Sequence, residues 1–120
     1  MLRLVFAMGL ALAAIAPAWA EDAVGKWLGN VKSPEGEIPL VLTVTKDAAG
    51  KLAAVAESPE QAPGMQIPTE NVVSDGLKLS FDVSVVAGDY AGTWDEAKKA
   101  WVGTWKQNGL EMPLDFARAP

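Results

Sequence analysis

Three stretches of this chain alternate apolar and polar residues with a period of two, and past residue 20 no segment keeps a helical period for long. Ile38, Leu40, Leu42 and Val44 share one face. Leu77, Leu79, Phe81 and Val83 alternate with Lys78, Ser80 and Asp82, and Leu110, Met112, Leu114 and Phe116 alternate with Glu111, Pro113 and Asp115. Successive side chains leave a strand on opposite sides, so this pattern is what a strand with one buried face requires. The punctuation agrees. Asn108-Gly109 and Asp75-Gly76 are two-residue hairpin signals whose central positions need positive φ. Asp47-Ala48-Ala49-Gly50 fits a longer hairpin with Gly50 left-handed. Eight strands follow, near 25–32, 37–46, 51–57, 69–74, 77–84, 88–95, 100–107 and 110–118. Their short connections predict an all-β, antiparallel, up-and-down meander.

Eight strands favour closure into a small barrel, because an open sheet leaves two edges of unpaired backbone. A sandwich of two packed sheets is the alternative. An internal similarity fits closure: a displacement of 74 positions lays Trp27-Leu28-Gly29 on Trp101-Val102-Gly103 and Glu37-Ile38-Pro39-Leu40 on Glu111-Met112-Pro113-Leu114, with six identities in eighteen positions. The first and last hairpins should then share one local geometry. Pro39 and Pro113 occupy equivalent places. Since proline cannot donate to a ladder, the reading predicts a matched bulge in the second and eighth strands.

Residues 1–20 read as an export signal. Arg3 gives the positive start, Leu4 to Ala16 the apolar run, and Ala18-Trp19-Ala20 a small-x-small cleavage site. The run is short for a membrane span and broken by Pro17. A periplasmic or secreted bacterial protein is expected, beginning at Glu21 and forming one domain over residues 21–120. Without Arg3 the chain holds 9 basic and 15 acidic residues, a balance that disfavours nucleic acid and anionic membranes. There is no cysteine, so an exported domain of this size relies on packing alone.

The same composition narrows the chemistry. With no histidine and no cysteine, Ser-His-Asp, Cys-His and thiol catalysis are excluded. Zinc, copper and iron sites lose their usual ligands. Neither a Ser-x-x-Lys pair nor a calcium-loop pattern occurs. A non-enzyme without metal or cofactor is the expectation.

Gly92-Thr93-Trp94 and Gly103-Thr104-Trp105 repeat on neighbouring strands. They provide either an aromatic wall for an apolar ligand or glycine–tryptophan packing that fills the barrel. Residues 58–68, with three prolines and Gly64, form the longest connection, either lining a barrel mouth or covering it. The candidate ligand-binding residues are Trp94, Trp105, Tyr90, Gln61 and Met65. Gly25-Lys26-Trp27 opens the first strand and Arg118 ends the last. This pairing resembles the calycin signature of lipocalin-like barrels, and it implies a guanidinium stacked on the Trp27 indole to close one end of the barrel.

A broader resemblance spans most of Gly25 to Arg118. Ser58-Pro59-Glu60-Gln61, Ile67-Pro68, Gly103-Thr104-Trp105 with Gln107, and Pro113-Leu114 with Phe116 and Arg118 resemble the small β-rich domain that precedes the catalytic domain in some secreted bacterial alpha/beta hydrolases and related serine hydrolases. The hydrolase domain itself is missing, so the resemblance implies an accessory module standing alone, and it assigns no catalytic residue. The expectation is a monomeric exported binding module for a small apolar or peptide-like ligand. The alternatives are an accessory or inhibitory partner of an exported hydrolase, or a self-associating structural envelope protein.

Overall fold

The computed structural model describes residues 22–120, so the export-signal reading of residues 1–20 lies outside the described residues. Nine strands form one antiparallel sheet: β1 (Gly25–Ser33), β2 (Gly36–Lys46), β3 (Leu52–Glu57), β4 (Ile67–Pro68), β5 (Glu70–Asp75), β6 (Lys78–Val83), β7 (Gly88–Asp95), β8 (Ala100–Gln107) and β9 (Leu110–Arg118). Their order is β4-β3-β2-β1-β9-β8-β7-β6-β5. The sheet curls into a nearly closed barrel. Every ladder joins chain neighbours except β1–β9, which brings the first strand to the last.

The eight strands of the sequence become nine because the connection expected over 58–68 ends in a short strand. Ile67–Pro68 pairs with β3, and Glu70–Asp75, the expected fourth strand, pairs with β6. One extended run therefore changes partners as it crosses the seam. Pro68 has no N–H to give a ladder. Asn71 takes φ 54°, and the β5–β6 register shifts between Glu70 and Val73. Thr69, at the changeover, donates its hydroxyl to the Ala54 carbonyl at 2.7 Å and holds the run against β3.

The turns follow the sequence with one displacement. Asn108 and Gly109 both have positive φ, 53° and 79°, as a type I′ hairpin turn demands. In the turn expected at Asp75-Gly76 the central pair is Gly76-Leu77, with Asp75 ending β5. Only Gly76 has positive φ there. Leu77 is thus exposed and does not continue the apolar face of Leu79, Phe81 and Val83.

The expected bulges at Pro39 and Pro113 are absent. Both residues sit in unbroken registers, Asn30 opposite Pro39 and Thr104 opposite Pro113. Each lies just outside its strand's second ladder, which begins at Val41 on β2 and at Leu114 on β9. The missing donor faces an unpaired edge, so no irregularity is needed. The 74-residue match is real in geometry. Trp27 opposes Leu42 as Trp101 opposes Phe116, and Gly29 opposes Leu40 as Gly103 opposes Leu114.

The strand ends that carry β1's start close over aromatic rings. Trp27 and Trp101 are fully buried. Trp27 meets Trp94 and Trp101 edge to face, each at 6.1 Å between centroids. Such rings bury about 150–250 Å² each. Arg118 lies over Trp27 with Cζ 4.2 Å from the ring centre. It donates to the carbonyls of Val24 at 3.0 Å and Asp22 at 2.7 Å. The resemblance implied this stack, and its geometry is present. Gly25 makes room for it: a Cβ there would collide with Nη1 of Arg118, and φ is 134°. At the waist, Tyr90 stacks on Phe81 at 5.3 Å and meets Phe116 edge-on at 5.2 Å. Its hydroxyl donates to the Trp101 carbonyl at 3.3 Å.

Candidate ligand cavity

The core does not continue to the other end of the barrel. There the inward positions carry smaller side chains: Val31, Ile38, Leu40, Ala56, Val83 and Met112 replace the tryptophans of the closed end. They leave a cavity of about 360 Å³, floored by Phe81 and Phe116 and open at the mouth. That volume lies at the small end of the range for small-molecule sites, ~300–1,000 Å³.

Trp105 is a wall of this cavity, and it is held flat. Its ring lies where a Cβ on Gly88 would stand. Its Nε1 donates to Oε1 of Gln107 at 3.0 Å, and Nε2 of Gln107 donates to the Val86 carbonyl at 3.0 Å. A side chain on residue 88 would collide with the indole. The 58–66 loop supplies the opposite lip. Ser58 is buried, and its carbonyl accepts from the backbone of Gln61 and Ala62 at 3.1 and 2.8 Å. Its hydroxyl donates to Oε1 of Gln61 at 2.9 Å. These bonds fix the loop and set Gln61 at the rim.

Of the residues expected to bind a ligand, the structure brings together Trp105 and Gln61. Trp94 lies at the closed end, against Trp27 and Trp101, with its Nε1 donating to Glu96 at 2.9 Å. The Lys99 ammonium, and then this indole bond, hold the Glu96 carboxyl below the ordinary carboxylate range. Tyr90 lies beneath the cavity, packed between Phe81 and Phe116. Met65 points outward and is 58% exposed. The two Gly-Thr-Trp motifs part company because β7 and β8 run antiparallel: each motif sits near the end of its own strand, so the rings face opposite ends of the barrel. The ring that fills the space beside Gly92 and Gly103 is Tyr90 and not a tryptophan, and the glycine–tryptophan contact is made by Gly88 with Trp105.

The sequence did not single out Phe81, Phe116, Met112, Ala56, Gln107 or Glu35 as bordering the cavity. For Phe81, Met112 and Phe116 the signal was the alternation itself, whereas Glu35 lies in the turn between β1 and β2 and carries no such signal. Exposed apolar side chains also gather at this end: Met65, Val85, Val86 and Leu110, in the loops at the mouth or at the start of β9. Among the described residues, no cluster of three or more acidic, histidine or cysteine side chains could hold a metal ion.

Comparison with family models, with curated proteins and with solved structures finds no match to this chain. Fold and cavity define a class: a small up-and-down β-barrel, plugged by aromatic rings at one end and hollow at the other.

Proposed function

We propose that this protein is an exported, non-catalytic binding module that holds a small apolar or peptide-like ligand in the mouth of its barrel. The observation that carries this reading is the one-ended cavity of about 360 Å³, apolar within and bordered by a few hydrogen-bonding groups at Ser33, Ser58, Gln61 and Gln107. Apolar walls supply affinity by releasing water, and the few polar groups at the rim orient what enters. The absence of histidine and cysteine supports binding over catalysis. The resemblance to a domain found beside secreted hydrolases supports an accessory role outside the cytoplasm.

Titration with the neutral fluorescent probe N-phenyl-1-naphthylamine tests the site. Saturable one-to-one uptake is expected in the wild type. In Ala56→Phe, whose added ring fills the lumen, affinity should fall at least about tenfold while the far-ultraviolet spectrum is kept. Equal uptake by both proteins would place the probe elsewhere and overturn the site.

A further inference from the structure

Among the described residues, the ten charges nearest the mouth are of nearly one sign. Glu35 and Glu60 stand in its loops. Glu37, Glu57, Glu70, Asp82, Asp89 and Glu111 occupy one of the two residues at the mouth-side end of a strand. Against these eight carboxylates stand only Lys32 and Lys106, and Lys32 is already paired with Glu37 at 3.1 Å. The closed end is different. Lys26, Lys46, Lys51, Lys78, Lys98, Lys99 and Arg118 there outnumber five acids. The barrel is electrically polar, with its hollow end negative.

The lining repeats this bias. Among the described residues, five of the side chains bordering the cavity are polar, and the only charged one is the carboxylate of Glu35. No described lysine or arginine borders it. A carboxylate or phosphate guest would enter a negative mouth with no cation to meet it. A guest bearing an ammonium or guanidinium would be drawn in by the field, would meet Glu35 at the rim, and would find the aromatic rings of Trp105, Phe81 and Phe116 in the lining.

We propose that the cavity selects cations: its guest is an apolar body carrying one positive group, which stays at the mouth beside Glu35. This rests on the proposed binding reading and names the chemical class of its ligand. Electrostatic complementarity of this kind chiefly sets specificity, and it fades as salt shortens the screening length to about 8 Å at physiological ionic strength.

Three probes of one chain length separate charge from apolar burial: octylammonium, octanol and octanoate, each competing against bound N-phenyl-1-naphthylamine at low and at high salt. Octylammonium should displace the probe at about tenfold lower concentration than octanol, with octanoate weakest. That spread should shrink at high salt. Glu35→Lys, a change in an exposed turn, should move the order toward octanoate. Equal displacement by all three, a preference for octanoate, or an order unmoved in Glu35→Lys would overturn the charge assignment while leaving a binding cavity intact. A protein that takes up neither the probe nor any octyl compound would overturn both readings.

Discussion

Gly25 and Arg118 need one another. The guanidinium can lie on Trp27 only because residue 25 has no Cβ in its way, and the φ of 134° at that position is one that other residues rarely adopt. Gly25→Ala should therefore cost about 1–3 kcal/mol, read as a lower urea midpoint at unchanged slope. Arg118→Ala should cost about 0.5–2 kcal/mol from the lost ring contact. The double mutant should cost less than the sum, because once the guanidinium is gone a methyl group at position 25 has less to strike. Strict additivity would separate the two residues. Tyr90 gives a second test. Burial, and then the charge of Asp115, push its phenol well above its ordinary value. A raised folded value contributes stability that is fully present below about pH 10 and is lost as pH rises beyond it. Tyr90 is the only tyrosine, so tyrosinate absorbance should appear only with alkaline unfolding, in step with loss of the barrel's circular dichroism. Ionisation of a still-folded barrel would show that the phenol is not sealed in. The pairing of Trp27 with Arg118 was legible in the sequence, because strand parity puts Arg118 on the face of Leu114 and Phe116. The need for glycine at 25 was not, since it depends on where a side chain from the far end of the chain comes to rest.

At the scale of the element, the strands were readable because alternation is local. All eight expected segments appear with boundaries moved by at most one residue. The short strand Ile67–Pro68 and the partner change at Thr69 were not legible, because no local pattern encodes which neighbour a strand will meet. The prolines show the same limit: their edge positions depend on where adjacent ladders stop. Thr69 tests the importance of the changeover. Thr69→Val keeps the shape and removes the bond to Ala54, so it should cost about 1 kcal/mol. Hydrogen exchange should quicken chiefly in β3 and β4, where the seam opens. Uniform loss of protection across all strands would mean that the seam is no weaker than the rest.

The whole molecule holds what neither residue nor strand displays. A net charge of −5 over the chain conceals a negative end and a positive end. In an up-and-down meander alternate turns lie at opposite ends, so the polarity becomes countable once the topology is known. The cavity was less legible. Aromatic residues line the cavity as well as fill the closed end, so they do not by themselves mark where the barrel is full, and the hollow lies where valine, alanine and methionine share the lining with Trp105, Phe81 and Phe116. Closure itself has a bearing on time. The ladder that completes the barrel joins β1 to β9, and Arg118 bonds to Val24 across 94 positions of sequence. Contacts so distant form late and slowly. A chain emerging from its amino end would carry β1 with one bare edge, and Trp27 without its cover, until the ninth strand arrived. The last strand to be made is the clasp.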